Sequence, residues 1–191
     1  MVTTLALALA GAVHAESIGN LRSIAPVAAR DGSTAWDLTT DNGTRLRVDL
    51  LRPDMLRIQA GRHGKLLPAG DKAAPIVLPQ PKAAVAHTFE ESTDEVRIRT
   101  DALVLRVQRQ PLRLSLERID AGTPTPMWRE LQPLDLSKEQ SVQTLSSQAD
   151  EHFYGGGQQN GRFEFKGREL EISYSGGWEG GGRPSPAPVV I

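Results

Sequence analysis

Apolar and polar residues alternate along most of this 191-residue chain. Between Thr44 and Leu50, aliphatic residues occupy every second position and charged residues stand between them. The same period of two recurs in the stretches Leu56–Gln59, Val96–Arg99, Leu103–Val107, Leu112–Leu116 and Leu170–Tyr174. A period of two predicts strands with one apolar and one polar face, which is typical of antiparallel sheets with one solvated side. The pattern predicts an all-β fold, specifically an antiparallel β-sandwich.

Turn-forming residues separate these stretches. The candidate turns are Asp41-Asn42-Gly43, Pro53-Asp54, Thr100-Asp101 and Asp120-Ala121-Gly122. Leu66–Ala84 carries four prolines, which cannot donate to a central ladder, so we expect an edge crossing or an extended loop there. Met127–Gln140 mixes Trp128 and leucines with charged residues, and this spacing could form a helical turn.

The composition is that of one soluble domain. The net charge is -1, and lysine and arginine are scattered, so no basic face for nucleic acid is predicted. The chain contains no cysteine, so disulfides and thiolate chemistry are excluded. A chain of this size can bury roughly 70% of the surface that its unfolded form exposes, which is sufficient for a two-layer sandwich.

Residues 1–15, MVTTLALALAGAVHA, are typical of a secretory signal peptide, with cleavage expected before Glu16. The first residues lack the usual lysine or arginine, and a short buried helix is the alternative. The apolar run is too short to cross about 30 Å of hydrocarbon, and no other run approaches that length, so no membrane span is predicted. We therefore expect an exported protein, periplasmic or extracellular.

The stretch from Glu151 to Trp178 differs from the rest of the chain. Ten of the eighteen glycines lie between Gly155 and Gly182, and six of the nine aromatic residues lie between Phe153 and Trp178. Uncharged amides beside aromatic rings suit the hydroxyls and the C–H faces of sugars. A β-bulge and hairpin loop without a ligand would account for the same residues.

This stretch also carries a family resemblance. The segments concerned are Phe153–Gly161 (FYGGGQQNG), Phe165–Arg168, Gly176–Trp178 and Arg183–Pro188. They resemble the end of the N-terminal β-sandwich of glycoside hydrolase family 31, and the GGGQQNG version resembles a bacterial branch of α-glucosidases and α-transglucosylases. The resemblance is strongest from about Val96 to the end of the sequence.

The resemblance implies that residues 16–191 form a galactose-mutarotase-like supersandwich that stops before a catalytic (β/α)₈ barrel of about 250 residues. It implies a retaining enzyme that hydrolyses or transfers α-glucosidic linkages, with an α-linked oligosaccharide or glucan and the C-terminal barrel as partners. No cofactor or metal is expected. A glycine-rich loop near the substrate is implied, and its candidate contacts are Gln158, Gln159, Asn160, Arg162, Phe163 and Trp178.

No catalytic residue is assigned. A retaining glycosidase needs two carboxylates about 5 to 5.5 Å apart, whereas the acidic residues here fall mostly on polar strand faces or in turns. Trp36-Asp37 does not match the nucleophile motif of the family. The alternative is a non-catalytic, secreted carbohydrate-binding module. An aldose-mutarotase-like enzyme ranks last, because His63, His87 and His152 have no evident carboxylate partner.

Overall fold

The computed structural model describes residues 17–27, 34–66, 84–137, 141–155 and 164–168. The chain divides into two compact units, residues 1–146 and residues 147–191. The described part of the first unit consists of strands and one 3-10 turn at Arg62–Gly64. The strands are β1 (Leu21–Pro26), β2 (Thr34–Thr40), β3 (Arg45–Arg52), β4 (Met55–Gly61), β5 (Thr88–Glu91), β6 (Glu95–Arg99), β7 (Leu103–Arg109), β8 (Leu112–Asp120), β9 (Thr123–Arg129), β10 (Asp135–Leu136) and β11 (Ser141–Val142).

These strands form two antiparallel sheets and one short strand pair. The first sheet has the order β1-β2-β3-β4, and the second has the order β5-β6-β7-β8-β9. Each strand pairs antiparallel with its neighbour, and β10 pairs with β11. Sequential neighbours pair because the connections between them are mostly tight turns. The predicted all-β antiparallel fold is confirmed.

One apolar core lies between the sheets. Leu38, Leu46 and Val48 of the first sheet are fully buried. The inner face of the second sheet contributes buried side chains of the same kind, namely Val96, Ile98, Leu103, Leu105, Val107, Leu112, Leu114 and Leu116. Since these are the alternating positions of the sequence, the predicted apolar face of each of these strands is the buried one.

The opposite faces of the sheets carry ion pairs. Asp37 on β2 accepts hydrogen bonds from Arg45 and from Arg47, the latter with 2.9 Å between Nε and Oδ1. On the second sheet, Arg106 bridges Glu117 at 2.9 Å and Glu95 at 3.0 Å. Partial burial raises the pKa of Asp37, but the hydrogen bonds from Arg47 and Arg45 outweigh it, so the net shift is downwards. Asp37 is therefore an ion-pair partner on a polar face.

The predicted turns lie where the sequence places them. Gly43 has φ 81° between β2 and β3, and Ala121 and Gly122 have φ 50° and 84° between β8 and β9. Thr100 Oγ1 accepts a hydrogen bond from Leu103 N at 2.8 Å in the turn between β6 and β7. Glycine suits these positions because it adopts positive φ without steric cost.

The helical turn expected within Met127–Gln140 is not found in the described part of that stretch, residues 127–137. Residues up to Arg129 belong to β9, in which Trp128 pairs with Leu116 of β8 and packs half-buried against the core. Further on, Leu134 O accepts a hydrogen bond from Ile18 N at 3.0 Å. Tertiary packing of Trp128 therefore overrides the helical spacing that the leucines suggested.

Several predictions fall on residues outside the described part of the chain. They concern the signal peptide at residues 1–15, most of the proline-rich stretch (residues 67–83) and the strand predicted at Leu170–Tyr174. Over the described residues, no helix has the length and apolar character needed to cross a membrane.

Candidate functional site

All six predicted contact residues lie outside the described residues. They are Gln158, Gln159, Asn160, Arg162, Phe163 and Trp178. The structure does describe the residues on both sides of the first five, at 147–155 and 164–168. These flanking residues form the described part of the second unit and define the candidate site.

The two flanks are hydrogen-bonded to each other. Phe165 N donates to Phe153 O at 2.9 Å, and Arg168 N donates to Phe165 O at 3.0 Å in a turn. Gly167 in that turn has φ 68°, a conformation that glycine adopts without strain. This bond fixes Phe153 and Phe165 as neighbours although eleven residues separate them in the sequence.

A second set of contacts ties the flanks to residues 148–151. Lys166 Nζ donates to Gln148 O and, at 2.8 Å, to Ala149 O. Gln148 N donates to Glu151 Oε2 at 2.9 Å. Backbone carbonyls and one carboxylate thus hold Lys166 and Gln148 in place, so these polar groups are engaged within the unit.

Exposed side chains project from this base. The rings of His152 and Tyr154 stack with centroids 6.1 Å apart and planes 28° apart. His152 Nδ1 lies 3.8 Å from Glu164 Oε1, and Tyr154 is 46% exposed. His152 therefore has a carboxylate neighbour that the sequence analysis did not find. Sequence spacing gave no signal for it, because the bond between Phe153 and Phe165 is what brings position 164 back to position 152.

This arrangement has the chemistry of a binding surface. Exposed aromatic rings can pack on the apolar face of a pyranose, and the imidazole and carboxylate can hydrogen-bond to hydroxyls. Glycoside cleavage needs two carboxylates that face the scissile bond. The carboxylate beside His152 is that of Glu164, and these contacts bring no second carboxylate to it. The described residues of this site can therefore bind and orient a polar ligand.

Among the described residues of the first unit, Glu130 is a buried acid with a perturbed pKa. Glu130 is 3% exposed, and burial raises its pKa above the ordinary carboxyl value, against hydrogen bonds from Gln143 and Leu114 that lower it. A buried carboxyl of this kind is often a catalytic acid. Here Leu114 N donates to Oε2 and Gln143 Nε2 donates to Oε1, both at 2.8 Å, so the group links β8 to the segment after β11.

The other described histidines, His63 and His87, belong to the first unit. His63 is exposed in the 3-10 turn with φ 52°. His87 is exposed, packs edge-on against Trp36 with centroids 4.9 Å apart, and its Nδ1 lies 2.8 Å from Val85 O. Within the ranges that the structure describes, no three histidine or acidic side chains are grouped as metal ligands would be.

The sequence of residues 45–188 matches the family model described as the glycosyl hydrolase 31 N-terminal galactose mutarotase-like domain. This match covers more than half of the 191 residues. The chain belongs to glycoside hydrolase family 31. The matched region contains nine of the described strands, β3 to β11, and the whole candidate site. A comparison with curated protein sequences found no match.

Solved structures of two carbohydrate-active enzymes have the same fold. A Flavobacterium johnsoniae GH31 dextranase, complexed with isomaltotriose, superposes with a TM-score of 0.66 at 16% identity over 80% of this chain and 18% of its own. A cycloalternan-forming enzyme from Listeria monocytogenes, in complex with a pentasaccharide substrate, superposes with a TM-score of 0.53 at 17% identity, over 80% of this chain and 14% of its own. At these identities the likeness establishes the fold. The chain spans less than a fifth of the length of either enzyme.

Proposed function

We propose that this chain is the N-terminal sandwich domain of an exported, retaining family 31 enzyme that hydrolyses or transfers α-glucosyl units of an oligosaccharide or glucan. The observation that carries the proposal is the match of residues 45–188 to the family's N-terminal domain. Two structural neighbours, named as a dextranase and a cycloalternan-forming enzyme, support a glucan as the substrate class.

In this proposal the chemistry takes place outside residues 1–191. The nucleophile and the acid would be aspartates on the loops of a (β/α)₈ barrel that follows the sandwich, at the barrel face where such enzymes have their active sites. The sandwich would contribute contacts to the substrate from the glycine-rich segment and its flanks. His152, Tyr154 and Glu164 lie at the base of that segment and present an exposed polar and aromatic surface.

The test uses the full-length polypeptide with isomaltotriose, maltotriose and cellotriose as substrates. We expect glucose and shorter products from hydrolysis, or longer oligosaccharides from transfer, with the α-linked substrates alone. Chromatography separates these products, and NMR of the first product formed reports whether the anomeric configuration is retained.

Turnover of cellotriose in place of the α-linked trisaccharides would contradict the proposed linkage. Binding of the saccharides without any turnover by the full-length protein would favour a non-catalytic carbohydrate-binding module. A product with inverted anomeric configuration would contradict a retaining mechanism. In that mechanism a covalent intermediate forms and is then broken, and the two steps together keep the configuration.

A further inference from the structure

The side-chain amide of Asn42 is held by hydrogen bonds although the residue itself is exposed. Asn42 lies in the turn between β2 and β3. Its Oδ1 accepts hydrogen bonds from Thr40 Oγ1 at 2.7 Å and from Thr44 N at 3.1 Å. Its Nδ2 donates to Ser17 O at 2.8 Å. Water can therefore reach this residue, while the fold fixes the orientation of its amide.

The bond from Asn42 to Ser17 is one of several that dock residues 17–20 on the sandwich. Ile18 is 1% exposed, and its N–H donates to Leu134 O at 3.0 Å. The next two residues contact both sheets, through the hydrogen bonds of Gly19 O with Leu112 N on β8 and of Asn20 N with Asp41 Oδ1 in the turn after β2. Release of segment 17–20 must therefore break the bond that holds the Asn42 amide.

Asn42 is followed by Gly43, a pair in which asparagine is prone to deamidation. In this reaction the backbone nitrogen of Gly43 attacks Cγ of Asn42, and a cyclic imide forms. The C–N bond of the amide breaks, and the proton of the attacking nitrogen leaves with the ammonia. Water then adds to either carbonyl of the imide and opens it to aspartate or isoaspartate. Glycine has no side chain to hinder the ring closure.

The fold opposes this reaction at both reacting atoms. Gly43 N donates its hydrogen to Thr40 O at 3.1 Å, so the nucleophilic nitrogen is engaged. Cγ of Asn42 carries the amide that Thr40, Thr44 and Ser17 hold, and turning it towards Gly43 N breaks those bonds. Chain ends and turns open locally at a lower free energy than the core does. The rate of deamidation should therefore follow the release of segment 17–20.

The product of the reaction opposes renewed docking. A carboxylate at position 42 has no N–H to donate to Ser17 O, so two oxygens would face each other where Asn42 now donates. The carboxylate also places a second negative charge beside that of Asp41, which Asn20 uses as its hydrogen-bond acceptor. Both effects weaken the attachment of segment 17–20.

We propose that Asn42 is a site of spontaneous deamidation that is coupled to the docking of residues 17–20. In the docked state the amide is protected. In the released state it reacts with water as the only co-reactant, and the carboxylate that forms keeps segment 17–20 undocked. This inference goes beyond the proposed function and does not depend on it.

The test follows Asn42 by peptide mass spectrometry in the full-length polypeptide, kept in mildly alkaline buffer with and without urea. Asn42 should deamidate at least about 10-fold more slowly in the folded protein, because the bonds of its amide must open first. Ile18→Ala removes the buried anchor of segment 17–20 and should speed the reaction in the folded protein. Ile98→Ala is the matched control, because Ile98 is also 1% exposed but lies on β6. It should leave the rate unchanged.

Asn42→Asp tests the effect of the product even if Ile18→Ala fails to fold. Hydrogen exchange of the amides in residues 17–20 should become faster in Asn42→Asp. Gln59→Glu adds the same charge on β4 and should leave that exchange unchanged. Equal deamidation rates with and without urea, equal rates in Ile18→Ala and Ile98→Ala, or unchanged exchange in Asn42→Asp would each overturn the inference.

Discussion

Leu114 and Glu130 are joined by two hydrogen bonds in opposite directions. Glu130 N donates to Leu114 O at 2.9 Å, while Leu114 N donates to the Glu130 carboxylate at 2.8 Å. Glu130 lies just past the end of β9. Its side chain thus accepts the hydrogen bond from Leu114 N that the backbone of a neighbouring strand would otherwise accept. Glu130 also pairs with Leu145 through an isolated bridge, so it links β8 to the segment after β11.

The raised pKa of Glu130 predicts a pH-dependent stability. Between the ordinary carboxyl pKa and the raised one, the folded chain holds a proton that the unfolded chain has released. The free energy of unfolding should therefore fall as pH rises through that window. Glu130→Gln removes the titrating carboxyl and keeps a side-chain oxygen that accepts the hydrogen bond from Leu114 N. The Gln143 amide then has to rotate by about 180°, so that its oxygen faces the new amide N–H₂. We expect the urea midpoint of Glu130→Gln to change less than that of the wild type from about pH 5 to about pH 8.

Asp101→Asn is the control for Glu130→Gln, because Asp101 is an exposed carboxyl in the turn between β6 and β7. It should leave the pH profile of the urea midpoint unchanged. If Glu130→Gln and Asp101→Asn both follow the wild-type profile, Glu130 does not titrate in that window.

Gly19 and Gly43 allow a matched test of a close contact. Both have φ 81°, so alanine at either position should cost about 1–2 kcal/mol through backbone strain. A Cβ at Gly43 meets open space, whereas a Cβ at Gly19 would lie 2.1 Å from Asp41 Oδ1. We expect Gly19→Ala to lower the melting temperature more than Gly43→Ala.

The pKa of Asp41 gives a second readout for this pair of variants. The backbone N–H of Asn20 donates to its Oδ1 at 2.9 Å, and this bond is the main reason that the pKa is lowered. Displacement of the carboxylate by Gly19→Ala should raise the pKa of Asp41 towards its ordinary value, as measured by NMR titration. Gly43→Ala should raise it less. Equal melting temperatures and equal pKa values in the two variants would contradict the contact.

Leu46 tests the core that alternation predicted. It is fully buried on β3, and Leu46→Ala should reduce the free energy of unfolding by about 2–5 kcal/mol because a cavity replaces the removed atoms. Leu131→Ala is the control, since Leu131 is 45% exposed, and we expect a change within about 0.5 kcal/mol. Urea unfolding measures both values, and a similar loss in the two variants would place Leu46 outside the core.

The alternation of apolar and polar residues predicted the strands with a regular pattern. It missed the strands whose pattern is irregular. β3, β7 and β8 bury their alternating apolar residues, as their sequences indicate. All four residues of β5 are exposed, so no apolar period identifies that strand. In β9, Pro124 and Pro126 hide a strand at a sheet edge, and the leucines after it suggested a helix instead. Edge strands are specified by tertiary pairing more than by local pattern.

The candidate site was less predictable for the same physical reason. Resemblance identified the glycine-rich segment, but the approach of Glu164 to His152 depends on a hydrogen bond across eleven residues. The buried position of Glu130 likewise depends on Leu114, Gln143 and Leu145, which come from separate segments. A local sequence window contains none of these contacts.

Tyr154 provides a direct test of the proposed binding surface in the full-length polypeptide. If its exposed ring packs on a sugar, Tyr154→Ala should raise KM for an α-linked oligosaccharide by roughly 2- to 10-fold, equivalent to a loss of about 0.5–1.5 kcal/mol. With catalytic residues elsewhere, kcat should change little, because the contact is made equally in the ground and transition states.

Tyr154→Phe and Phe89→Ala are the controls for this test. Tyr154→Phe keeps the ring and should keep most of the affinity. Phe89 is a similarly exposed aromatic residue that is not among the proposed contacts, so Phe89→Ala should leave KM unchanged. An unchanged KM in Tyr154→Ala would show that the ring does not contact substrate. A loss of kcat together with a lower melting temperature would instead assign Tyr154 to the stability of its unit. A selective rise in KM is thus the result that separates binding from folding at this position.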